Sequence, residues 1–184
     1  MGIMLAFLPF LVFAMTDRFI GTTEGLVAGT AVSAFLVTRD VLAPGKSIKI
    51  LEGGTLLLFA ALTGYIMFTG QAISVIGARL IVDLGLLAII LFSLVIGRPF
   101  TLEYAKENVS PEISQTAKFR KTNIVITSAW ALAFLVMVCA ELVLLYAPDI
   151  PHHFGIIAIV VALVGAVKFT KWYPTQVAGK LRSV

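Results

Sequence analysis

The stretch from Ala72 to Gly97, AISVIGARLIVDLGLLAIILFSLVIG, constrains this chain more than any other. It is apolar apart from Arg79, Asp83 and two serines. At about 1.5 Å of rise per residue, a helix of this length crosses a hydrocarbon core of about 30 Å with some tilt. Arg79 and Asp83 are four residues apart, so they share a helical face one turn from each other. A charge at mid-bilayer costs roughly 2.5–3.5 kcal/mol on insertion scales, so such residues usually face protein or water and are usually paired.

Composition places the whole chain in the same solvent. Of its 184 residues 59% are hydrophobic and 13% are charged, against about 25% charged in an ordinary soluble domain. The lone Cys139 lies in an apolar run, which rules out an internal disulfide. The net charge of +4 would suggest nucleic acid only if the basic residues gathered on a soluble face, and they lie between apolar segments instead.

The expected fold is all-α, a polytopic transmembrane helical bundle forming one domain over 1–184. Its six spans read as about 3–20, 23–38, 53–70, 72–97, 123–147 and 154–173, with an amphipathic cytoplasmic connector at 98–122. The first segment lacks the basic flank and small-residue cleavage site of a signal peptide, so it is kept as structure. It is short, and Pro9 is expected to bend it, which makes a re-entrant segment the competing reading. Thr22, Thr23 and Glu24 look like a capped, acidic first turn of the second span. Pro44-Gly45 marks the turn between the second and third spans. In the connector, Phe100, Leu102 and Tyr104 suit a membrane surface, a solvated amphipathic connector is the preferred reading over a specific lipid or partner site, and Ser110-Pro111 opens a second short helix. Lys171-Trp172-Tyr173 reads as an interfacial belt closing the sixth span.

The cations set the expected orientation. Arg39, Lys46, Lys49, Arg98, Lys106, Lys118, Arg120, Lys121, Lys168, Lys171, Lys180 and Arg182 flank one side of the spans, against Arg18 on the other. By the positive-inside rule both termini lie in the cytoplasm.

Two groups of residues are candidate sites. Gly21, Gly25, Gly29 and Ser33 recur at four-residue intervals, a stripe that lets another helix come close, with a neighbour in the same chain as the simpler partner. In the fifth span Asn123, Thr127, Trp130, Phe134, Met137 and Glu141 share one face. The fourth and fifth spans are antiparallel, so Arg79, Asp83 and Glu141 fall at comparable depths and are expected to meet. With Asn123, Thr127 and Trp130 they form a candidate intramembrane polar cluster. It reads either as a proton or substrate path or as a buried ion-pair staple that fixes helix register. His152-His153 lacks a third ligand nearby, so no metal and no cofactor are expected. Without a phosphate loop, a Ser-His-Asp spacing or HExxH, an enzyme is not expected either.

The opening FLPFLVF, the Arg98-Pro99 pair closing the fourth span and Trp130-Ala131 in the fifth resemble the intracellular septation protein A family. The resemblance covers most of the chain in span order and spacing. It implies a small polytopic inner-membrane protein that supports envelope integrity, septation and elongation through contacts. The candidate partners are then the lipid bilayer, envelope-building membrane proteins and a second copy of the chain. The alternative from a different class is a small-molecule or proton-coupled transporter whose site is Arg79, Asp83 and Glu141.

Overall fold

The computed structural model describes residues 3–44, 47–71, 73–147 and 149–179, with side chains to 177. Gly45 of the expected turn, Lys46, Ala72, Lys180 and Arg182 lie outside the described residues. A 3₁₀ segment, Ile3–Phe7, leads into α1 (Leu8–Phe19), followed by α2 (Thr22–Leu42), α3 (Ile50–Thr69) and α4 (Val75–Val95). Then come the short α5 (Phe100–Lys106) and α6 (Pro111–Ser114), and the long α7 (Ala117–Tyr146) and α8 (His152–Gly179). Five of these helices, α2, α3, α4, α7 and α8, are long and apolar enough to cross a membrane. The chain is thus an all-α, multi-pass membrane protein.

The first apolar segment differs from the single span expected of it. Pro9 occupies the first turn of α1, where its missing N–H is not needed. The preceding residues wind as a 3₁₀ turn, which leaves α1 with 12 residues. The helix boundaries elsewhere move outward or inward by a few residues. α7 begins at Ala117 because Thr116 caps it, its hydroxyl accepting from Phe119 N–H at 3.2 Å.

The chain divides into two compact units, Met1–Ile89 and Ile90–Val184. In the first, the core gathers Phe13 from α1, Leu26 from α2, Phe59 and Ile66 from α3, and Ala78 and Val82 from α4. Phe59 makes tilted ring contacts with Phe13 and Phe10, with centroids at 5.6 and 5.2 Å. Glycines set the helix separations. A Cβ on Gly25 would stand 3.0 Å from Phe13 O and 3.1 Å from Asp17 N, so α2 lies directly on the α1 backbone. A Cβ on Gly29 would meet the Phe59 ring at 2.7 Å. Ser33, one turn on, is buried and returns its hydroxyl to Gly29 O at 2.8 Å. Gly21 plays a different part from its stripe-mates: it is the N-cap position of α2 and makes no interhelical approach. α3 and α4 interleave through a second pair, Ile89 against Gly54 and Leu58 against Gly85.

In the second unit α7 packs along α8, and α5 folds against α7. The expectation that Phe100, Leu102 and Tyr104 lie on the membrane surface is corrected here. All three are buried, with Thr101 between them. Gly97 makes this possible: its left-handed φ of 71° ends α4 and redirects the chain. Its carbonyl accepts from Arg120 Nη2 at 3.1 Å. The start of the connector, α5, is therefore packed into the protein, while most of its remaining residues to 122 are exposed.

Candidate functional site

The polar residues inside the apolar helices fall into three groups. The first lies where α1, α2 and α4 meet. Arg79 donates through Nη2 and Nε to Asp17 Oδ2, at 2.7 and 3.1 Å. Thr22 donates its hydroxyl to Asp17 Oδ1 at 2.7 Å. Asp17 thus receives three charge-assisted hydrogen bonds with its side chain fully shielded, while Arg79 keeps 40% of its own exposed. Thr22 is consequently a ligand of Asp17 and not a helix cap. Arg79 and Asp83 do share a face of α4, but no ion pair joins them. Asp83 is buried and makes neither hydrogen bond nor ion pair among the described residues.

The second group closes the other end of α2, with Asp40 about 27 Å along its axis from Thr22. Asp40 is fully buried and accepts from Arg39 at 2.7 Å and from Lys49 Nζ at 2.6 Å. Glu52, on the first turn of α3, stands 3.7 Å from Lys49 and 3.9 Å from Arg39. Lys49 is itself only 5% exposed. Two cations and two carboxylates thus join the end of α2 to the start of α3 in a low-dielectric setting, where breaking one partner costs far more than the pair is worth. Between the two ion groups, Thr30 and Thr63 hydroxyls meet at 2.9 Å across α2 and α3.

The third group is in the second unit and holds the expected face of α7. Asn123, Thr127, Trp130, Phe134, Met137 and Glu141 are all buried. Thr101 of α5 donates to Asn123 O at 3.0 Å and meets Thr127 Oγ1 at 2.8 Å. Asn123 Nδ2 returns to Phe119 O at 2.9 Å. One turn further, Trp130 Nε1 donates to Thr170 of α8 at 2.9 Å, while its ring stacks on Phe134 and meets the edge of Phe100. The structure brings Asn123, Thr127 and Trp130 into one network, through Thr101, Phe100 and Thr170. Glu141 lies three turns beyond Trp130 on the same face. Arg79 and Asp83 belong to the first unit.

Four participants escape a local reading of sequence: Asp17, Thr101, Asp40 and Lys49. Asp17 is 62 residues from Arg79, beyond the reach of any i,i+4 rule. Its signal was positional, since an acidic residue closes the first apolar segment at the boundary level where Arg79 opens the fourth span. For the second ion group the signal was the Arg39-Asp40 and Lys49/Glu52 pairs facing across one short turn. Chemically, the three groups tie helices together through buried polar contacts. No protein-family model, curated protein or solved structure matches the chain.

Proposed function

We propose that this protein is a non-enzymatic component of the bacterial inner membrane that supports the cell envelope through contacts with proteins or lipid. In this reading the chain crosses six times, with both termini in the cytoplasm. The 3₁₀ segment and α1 together rise about 28 Å, close to a hydrocarbon thickness, because a 3₁₀ turn climbs about 2.0 Å per residue. The likeness to the septation protein A family carries the envelope role. The observation that favours contact over transport is the pairing of Arg79 with Asp17: the span charge that stood out as a transport candidate acts as a staple between α1 and α4.

The test is depletion in the source cells followed by complementation. A defect in septation or elongation is expected, and it is rescued by D17N/R79L wherever that variant accumulates in the membrane. Normal division on depletion, or a stable variant that fails to rescue, overturns the reading.

One observation favours the transporter as a second reading: Asp83 is buried in α4 without a hydrogen bond or ion pair among the described residues. Proton or solute flux in vesicles that is abolished in D83N with folding intact supports it. Equal flux in vesicles with and without the protein removes it.

A further inference from the structure

The second half of α8 carries a groove on its surface. An open groove of about 600 Å³ is lined by Gly165, Lys168, Phe169, Lys171 and Trp172. Gly165 forms its floor, and a Cβ built there meets nothing within 4 Å. Phe169 stacks on Tyr173 at 5.1 Å and tilts against Trp172 at 5.9 Å, which fixes the aromatic wall. Lys118 Nζ donates to Val177 O at 2.9 Å and ties this end of α8 to the start of α7. Lys168 and Lys171 are exposed, and neither forms an ion pair among the described residues.

Depth along the helix gives these residues their meaning. Lys168 follows His152 by about 24 Å of helix, so the apolar run ends where the two ammonium groups begin. Lysine stems lie along apolar surface while their heads reach the headgroup layer, and tryptophan prefers the same level. The groove is thus apolar towards the membrane interior and doubly cationic at its mouth, with no carboxylate among its lining residues.

We propose that this groove is a binding site for an anionic glycerophospholipid, with an acyl chain over Gly165 and the phosphate between Lys168 and Lys171. The charge complementarity selects a lipid with net negative charge, and the groove selects a lipid over a soluble phosphate, which would leave the apolar floor empty. The inference requires α8 to cross the membrane and is independent of the envelope role.

The full-length protein, purified in a neutral detergent, is titrated with phosphatidylglycerol or with phosphatidylcholine of identical chains, and bound lipid is counted by native mass spectrometry. Phosphatidylglycerol is expected to bind in preference. K168Q/K171Q should weaken it about thirtyfold, leave phosphatidylcholine unchanged, and be rescued by K168R/K171R. Gly165→Leu adds bulk into open space without touching the chain, so folding survives and binding of both lipids falls. K106Q/K121Q removes the same charge elsewhere and should change nothing. Equal binding of the two lipids, no loss in K168Q/K171Q, or an equal loss in K106Q/K121Q overturns the site. Intact topology with any of those results leaves the envelope reading standing and this one refuted.

Discussion

Arg79→Leu removes the cation that holds Asp17. The carboxylate then stays fully shielded with one neutral donor, Thr22. Stranding one member of a buried pair costs about 3–5 kcal/mol, and the remaining hydrogen bond to a charged group offsets about 1.5 kcal/mol of that. The net loss is about 1.5–3.5 kcal/mol. Asp17→Asn keeps the shape and the contact with Thr22, and it leaves Arg79 with 40% of its side chain exposed. That cation is able to reach the polar boundary, so the loss is about 1–2 kcal/mol. D17N/R79L leaves no charge behind and should cost about as much as Asp17→Asn alone. The pair therefore couples by the full Arg79→Leu loss, about 1.5–3.5 kcal/mol. Reversible unfolding in mixed micelles, followed by circular dichroism against the fraction of denaturing detergent, measures all three variants. Additivity within about 0.5 kcal/mol refutes the pairing. A larger loss for Asp17→Asn than for Arg79→Leu refutes the asymmetry of burial from which the magnitudes follow.

Gly25→Leu should cost about 1–3 kcal/mol or more, because the new side chain meets main-chain atoms of α1 that cannot rotate away; an unchanged melting temperature in detergent would place that face against lipid. Lys49→Met leaves Asp40 fully buried with Arg39 as its closest cation, and a loss of about 2–3 kcal/mol is expected, smaller in K49M/D40N; equal losses in the two variants contradict it. Thr101→Val deprives Asn123 O and Thr127 Oγ1 of their shared partner and should destabilise by about 1–3 kcal/mol, with T101V/T127V milder than the single change predicts; hydrogen exchange along α5 would rise in the single variant, and unaltered exchange would detach α5 from α7.

The apolar periods were legible in the sequence because helices in lipid must satisfy their own backbone groups, which leaves long uninterrupted runs. The small-residue stripe was legible at Gly25 and Gly29 for a related reason: only a missing Cβ permits those approaches to Phe13 and Phe59. Its first member misled, since Gly21 has the same spacing but stands before the helix begins. The face of α7 was readable from helical spacing, and its partner on α5 was not. Phe100, Leu102 and Tyr104 offer the same amphipathic pattern to a membrane surface as to a protein core, and only the turn at Gly97 selects the core. The partner of Arg79 was hidden by the same locality. An i,i+4 rule names Asp83, whereas the helix packing set by Gly25 brings α1 to α2 and so delivers Asp17.

The number of crossings is tested most directly by the sidedness of the termini and loops in whole cells. In a C139S background, cysteines placed by Ile20→Cys, Ser114→Cys and Ile150→Cys are labelled with a membrane-impermeant maleimide, alongside epitope tags at both ends. Six crossings predict labelling of Ile20→Cys and Ile150→Cys from outside, with Ser114→Cys and both tags reached only after permeabilisation. An N-terminal tag accessible from outside, with the C-terminal tag protected, means that the 3₁₀ segment and α1 do not cross and that the chain spans five times.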